Sequence, residues 1–127
     1  MKKKEHKQLT NQEWYVMKSL WNESPKSLME LVEELGETMS WSKSTCATMV
    51  RRMTEKEIIA YEMDGKTKRF YPLIKKEDAI VPETNSFLQR IFDGSVGVFM
   101  NTLIRQGELS DSDIDELQEI LKQAKEK

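Results

Sequence analysis

Cysteine, histidine and glycine are scarce in this 127-residue sequence, which has one Cys, one His, five Gly and three Pro. A single Cys cannot close an internal disulfide, and Cys46 with His6 cannot supply the four N/S ligands of a structural zinc site. Apolar packing must therefore hold the fold. No apolar run approaches the roughly 18 residues that a membrane helix needs. The basic start MKKKEHKQ is not followed by the apolar stretch of a signal peptide. A cytoplasmic protein without a membrane partner is expected. The sequence also lacks a Gly-rich phosphate loop, a G-x-S-x-G motif, a nucleophile-base pair and convergent carboxylates. The expectation is a non-enzyme with no cofactor and no metal.

A positive excess is missing too. The net charge is -2, from 20 Lys+Arg against 22 Asp+Glu, which speaks against a polyanionic partner if charge is summed over the whole chain. The distribution is uneven, however. Residues 1–74 hold 13 Lys/Arg and 11 Asp/Glu, whereas residues 75–127 hold 7 and 11.

What is present is helical punctuation. Thr10-Asn11-Gln12-Glu13 is a capping box, and Trp14, Met17, Leu20 and Trp21 then share one helix face. Ser27-Leu28-Met29-Glu30 is a second box, opening a stripe of Leu28, Leu31, Val32 and Leu35, with Gly36 expected to stop that helix. Ser42 caps a third helix reaching about Lys56, whose inward stripe is Cys46, Met49, Val50 and Met53. The period then changes. Ile58–Met63 and Lys66–Leu73 read as strands around Asp64-Gly65, a pair that favours a tight hairpin turn. Three helices and a hairpin make a winged helix-turn-helix.

From about Lys76 the pattern is helical again, with breakers at Gly94 and Gly97 and a last helix capped by Ser110. The fold class expected is mainly α with a small β-hairpin. Residues 1–74 form the winged-helix domain and residues 75–127 a helical dimerisation domain. The C-terminal faces formed by Phe87, Leu88, Ile91, Phe99, Leu103, Ile114, Leu117, Ile120 and Leu121 are too apolar for solvent and too few to bury themselves. A second copy of the chain is the economical partner, as a homodimer in which one patch meets itself.

With its apolar stripe inward, the third helix projects Ser44, Thr48 and Arg51 outward, flanked by Ala47 and Arg52, with Lys43 and Thr45 in the first turn. Hydroxyls, a small residue and two Arg suit a helix lying in a major groove, because they reach base edges and phosphates while the backbone comes close. Glu55 lies on the same side but near the far end, where it is expected to leave the groove. The bland alternative is a solvated polar face. Lys66, Lys68 and Arg69 cluster by the hairpin tip as a phosphate-gripping wing would, which favours DNA. Trp14, Trp21 and Trp41 read as core rather than stacking platforms, the eight Met as gap-filling core, Cys46 as a small core residue and His6 as a surface residue.

The run Leu9-Thr10-x-x-Glu13-Trp14-x-Val16-Met17-x-x-Leu20-Trp21, then Trp41-Ser42-x-Ser44-Thr45-x-x-Thr48-Met49-x-x-Arg52, then Asp64-Gly65-Lys66 followed by Phe70, resembles the BlaI/MecI penicillinase repressors and the related CopY repressors. The resemblance continues through Ser86-Phe87-Leu88 and Leu109-Ser110-x-x-Asp113-Ile114-x-Glu116-Leu117-x-x-Ile120-Leu121. It implies a transcriptional repressor that binds a palindromic double-stranded operator as a homodimer and is released by a signal. Lys43, Ser44, Thr45, Thr48, Arg51 and Arg52 on the helix, with Lys66, Lys68 and Arg69 on the wing, are the expected DNA contacts.

The copper-responsive members end in a cysteine-rich tail, whereas this sequence reads Lys125-Glu126-Lys127 at its end, so metal sensing by that route is not expected. The antibiotic-responsive members are cleaved at an Asn-Phe bond, which implies a sensor protease or its product as a partner. A gapless match puts that bond at Thr102-Leu103, where this chain departs from the pattern, with Asn101 one residue away. The reading of Leu103 and Ile104 as dimer-core residues is favoured over that of a protease site. A second functional class stays open: a winged-helix protein-interaction module without specific DNA binding, its acidic C-terminal half docking a partner.

Overall fold

The chain's helices begin where side chains satisfy the free N–H groups of a first turn. In the computed structural model, which describes residues 8–126, Thr10 caps α1 (Asn11–Asn22), Ser27 caps α2 (Leu28–Met39) and Ser42 caps α3 (Lys43–Glu55). The first two caps are complete capping boxes with Glu13 and Glu30. His6 lies outside the described residues.

Gly36 does not end α2, contrary to expectation. It sits inside the helix, and the left-handed cap is Ser40, at φ 59, whose N–H reaches the Leu35 carbonyl. Glu37 and Thr38 continue the helix, so the stop waits for a short polar residue that tolerates the left-handed geometry.

The hairpin consists of β2 (Ile59–Asp64) and β3 (Thr67–Pro72), joined through Gly65 and Lys66 in the register Asp64↔Thr67. Gly65 has φ +65, a conformation a side chain would strain. A third strand was not foreseen: β1 (Lys26–Ser27) pairs antiparallel with Phe70 and Arg69 of β3, so the sheet order is β1-β3-β2. Two residues carry no alternation from which a strand could be read.

The core gathers Val16, Met17 and Leu20 from α1, Leu31 and Leu35 from α2, and Cys46, Met49, Val50 and Met53 from α3, closed by Ile58, Ile59 and Phe70. Each fully buried large side chain, such as Leu31 or Met53, contributes about 1.5–3 kcal/mol. Trp14, Trp21 and Trp41 pack against this core. The Trp21 indole N–H also donates to the Ile74 carbonyl at 2.8 Å, tying the exit from β3 to α1.

Two polar devices link the helices. Glu13, 3% exposed, accepts from the Thr10 N–H and from Lys56 Nζ at 2.6 Å, joining the start of α1 to the C-cap of α3. Lys26, 8% exposed, donates to the Ser19 hydroxyl at 2.8 Å, the Ser19 carbonyl at 3.2 Å and Glu34 Oε1 at 2.7 Å. The Ser19 hydroxyl in turn donates to Glu34. Among the described residues no buried side-chain nitrogen or oxygen lacks a partner.

The remaining helices are α4 (Lys76–Phe92), α5 (Val96–Arg105) and α6 (Asp111–Lys125). Asp93 and Gly94, at φ 51 and 83, end α4, and Ser95 and Ser110 cap the other two. Residues up to Glu83 form one compact unit and those from Thr84 a second, so the change of unit falls nine residues beyond residue 74, inside α4. In the second unit Phe87, Phe92 and Phe99 meet ring to ring at 5.3–5.7 Å. Even so, α5 and α6 bury no residue, and Ile91, Ile104, Ile120 and Leu121 are more than half exposed.

The Lys26 network yields a stability prediction. Its hydrogen bonds, that from Lys26 foremost, hold the Glu34 carboxyl below its ordinary value of 4.5. A carboxyl lowered on folding adds stability above that value and loses it as pH falls through the folded value. Lys26→Ala should cost about 2–3 kcal/mol at neutral pH, at or below the bottom of the range of about 3–5 kcal/mol for a broken buried pair, because Glu34 is partly exposed. The difference between wild type and Glu34→Gln in urea melts should shrink as pH falls below 4.5. A gap that stays constant down to strongly acidic pH would contradict this role.

Candidate nucleic-acid interface

Burying Cys46, Met49, Val50 and Met53 forces the opposite face of α3 outward. Lys43, Ser44, Arg51 and Arg52 are exposed, while Thr45 and Thr48 are half-buried. Lys43 and Ser44 stand in the first turn, where the helix's positive end favours an approaching anion. Thr45 has a local duty, since its N–H and hydroxyl both contact the capping Ser42. The polar ends of the helix-turn-helix are thereby fixed before any ligand arrives.

Between α3, the N-terminus of α2 and the hairpin lies a groove of about 780 Å³. Its floor is apolar, formed by Leu28, Met29, Ala47, Val50, Tyr61 and Phe70, and its rim carries Arg51, Lys66 and Lys68. Three of the expected contact residues therefore converge on one concavity. Met29, Thr54 and Tyr61 also line it and were not foreseen as site residues. Met29 is 55% exposed, and an exposed apolar residue in the first turn of a capped helix is the signal that was available.

The wing cations are not equivalent. Lys66 is exposed at the tip. Lys68 places its ammonium 4.5 Å from the centre of the Tyr61 ring, a cation-π contact that orients it on the groove side. Tyr61 is itself braced edge-on by Phe70, its cross-strand neighbour. Arg69 is turned back into the fold. Its guanidinium donates to the Pro25 carbonyl at 3.2 Å and pairs with Glu30 Oε1 at 3.2 Å. That Glu30 oxygen also accepts the Ser27 N–H, so one carboxylate caps α2 and anchors β3. Hydrogen bonding from Ser27 is the main cause holding the Glu30 carboxyl below its ordinary value. Arg69 thus stands with the framework that aims the wing.

Arg51 is paired along its own helix with Glu55, Nη1 to Oε2 at 3.5 Å, and Glu55 is among the residues lining this concavity. Cys46 is 1% exposed and burial pushes its thiol up, away from the reactive thiolate. Among the described residues no cluster of three or more His, Cys, Asp or Glu could hold a metal ion, and no helix is long and apolar enough to cross a membrane. Thr102 and Leu103 lie within α5, with the Thr102 hydroxyl donating to the Val98 carbonyl.

Comparison with known proteins bears on this geometry. The family description "Penicillinase repressor" matches residues 9–123. The penicillinase repressor of Bacillus licheniformis is 30% identical over 118 residues, covering 93% of this chain and 92% of that protein. The methicillin resistance regulatory protein MecI of Mammaliicoccus sciuri is 25% identical over 114 residues, covering 90% and 93%. Among solved structures, the solution structure of the monomeric form of Bacillus licheniformis BlaI in complex with the blaP half-operator matches with a TM-score of 0.51 and 30% identity, covering 57% of this chain and 88% of that one.

The unequal wing cations can be separated by thermal melts. Arg69→Ala should lower the Tm by about 4–8 °C, the effect of about 1 kcal/mol in a domain of this size, since the Glu30 partner is half exposed. Lys66→Ala should change stability by less than about 0.5 kcal/mol. Equal effects of the two substitutions would show that Arg69 is no anchor.

Proposed function

The chain belongs to the penicillinase repressor family, and from that premise we propose that it represses transcription by seating α3 in the major groove of operator DNA while the wing grips the adjoining backbone. The observation that carries the reading is the groove in which Arg51 of α3 meets Lys66 and Lys68 of the hairpin. Three cations from two elements, converging on one side of the protein, match the phosphate lattice of a duplex. A solvated surface would have no reason to gather them there.

The roles divide by reach. Lys43 and Ser44, at the N-terminus of α3, approach phosphate or the first base edges, and Arg51 and Arg52, two turns on, offer forked donors. Thr48, half-buried on the same face, allows close backbone approach. Lys66 and Lys68 are backbone contacts without sequence preference. No catalytic group enters this reading, and the family is one of repressors rather than enzymes. The relative solved with a half-operator is described as a monomeric form in that complex. For the present chain we propose a homodimer on a palindrome, supported by the uncovered apolar residues of the second unit, Ile91, Ile104, Ile120 and Leu121 among them. Release follows a signal that weakens either the dimer or the grip of α3.

Selection of genomic fragments on immobilised protein should enrich a short palindrome, and a flat outcome would favour the protein-interaction reading. On the enriched duplex, Arg51→Ala should weaken binding by about 1–3 kcal/mol and blunt discrimination, whereas Lys68→Ala should weaken all sequences alike and flatten the salt slope by about 1. Mobility shifts at two salt concentrations with no loss for either variant would defeat the placement. Sedimentation at micromolar concentration should give a dimer, and a monomer would remove that part.

A further inference from the structure

The groove between α3 and the hairpin carries more apolar surface than a phosphate backbone can use. Phosphates find partners on its rim and none on its floor, yet Met29 and Tyr61 stand 55% and 41% exposed there. Its volume of about 780 Å³ lies within the range of about 300–1,000 Å³ usual for small-molecule sites, which combine an apolar lining with a few placed polar groups. Those polar groups define the chemistry. The Ser27 hydroxyl accepts the Glu30 N–H at 3.2 Å, and the Thr54 hydroxyl donates to the Val50 carbonyl at 2.7 Å, so neither invites a sugar. Glu55, the acid of the lining, is paired with Arg51 at 3.5 Å, which leaves little to attract a cation. Lys66 and Lys68 remain as anchors for an anion. The Lys68 ammonium lies 4.5 Å from the centre of the Tyr61 ring, and Phe70 stands edge-on to that ring at 5.8 Å. Positive charge and flat apolar surface are thus presented side by side.

We infer that this groove is a binding site for a small amphipathic anion, an aromatic carboxylate by class, whose occupancy excludes DNA. The carboxylate meets Lys66 and Lys68, and the ring lies on the floor formed by Ala47, Val50 and Tyr61. Neither half of such a ligand suffices. A bare carboxylate meets ammonium groups in water, where an ion pair is weak. A bare ring gains from leaving water but has no group to fix it in an open groove. The exclusion rests on the DNA-binding reading above, because the occupant takes the two wing cations assigned to the phosphate backbone. A compound that binds the free protein and not the complex weakens operator affinity by mass action, so an anion of this class acts as an inducer.

The test uses the full chain with naphthoate as probe, acetate supplying the charge alone and naphthylmethanol the ring alone. In amide shift mapping, naphthoate should move Ala47, Thr54, Tyr61 and Lys68, with a dissociation constant of about 1 mM or tighter, the level expected of a ligand of its size. Each half-molecule should bind at least about threefold more weakly. Lys68→Met keeps an apolar stem without the charge and should weaken naphthoate by about three- to fivefold. Met29→Glu puts an acid on the groove wall in the first turn of α2, where the helix dipole favours it; the variant should stay folded and bind naphthoate at least about twofold more weakly. At constant ionic strength, naphthoate at ten times its dissociation constant should lower affinity for the selected duplex about tenfold. Shifts confined to the residues from Thr84 onward, equal binding of either half-molecule, undiminished binding by Lys68→Met, or a duplex that keeps its affinity in saturating naphthoate would overturn the proposal. Failure of the wild type to prefer the selected duplex is a different result. It removes the DNA-binding reading and the exclusion with it, and the shift mapping still decides whether the groove takes the anion.

Discussion

One buried ammonium holds the DNA-binding half of this protein in register. Lys26 belongs to a strand of two residues, pairs by its backbone with Phe70 of the hairpin, and sends its side chain into Ser19 of α1 and Glu34 of α2. Helix, helix and sheet are thus joined at one point. The neighbouring residues continue the seam: Ser27 caps α2, Glu30 completes that cap, and Arg69 of the hairpin returns to Glu30 and to the Pro25 carbonyl. Charged groups in such a place cost desolvation, and their value lies in specifying one geometry. Here the geometry specified is the seating of the hairpin against α1 and α2.

The seating of the hairpin matters to the proposed DNA contacts, because α3 and the hairpin each carry only a few cations. The chain as a whole is negative, and a summed charge is a poor guide when the cations that count stand on one helix face and one hairpin tip. The groove between them has an apolar floor and a cationic rim, with one carboxylate set among the cations. In the second unit the logic is different: capped helices leave apolar residues exposed, which is what supports the proposed homodimer.

Much of this was legible in the sequence because caps and periodicity are local signals. Thr10, Ser27, Ser42 and Ser110 announce helix starts by side-chain chemistry within four residues, and Asp64-Gly65 announces a turn in the same way. The inward stripe of α3 followed from spacing, and with it the outward residues. What could not be read depends on contacts across the chain. Arg69 looked like its neighbours Lys66 and Lys68 until the pairing of Ser27 with Arg69 brought a carboxylate beside it. Lys26 carried no signal of burial, since its partners lie seven and eight residues away on different helices. Gly36 misled because the helix found its left-handed cap at Ser40 instead. Spacing along α3 also gave no sign that Glu55 shares a concavity with Lys66 and Lys68, because that depends on how the hairpin packs.

Whether α3 and the wing together form the surface that grips DNA is decided most directly by backbone amide shift mapping during titration with the selected duplex. The largest changes should fall in the segments from Lys43 to Arg52 and from Gly65 to Lys68, with Val16, Met17 and Leu20 in the core of α1 little moved. Changes confined to the residues from Thr84 onward, with α3 and the hairpin silent, would contradict it.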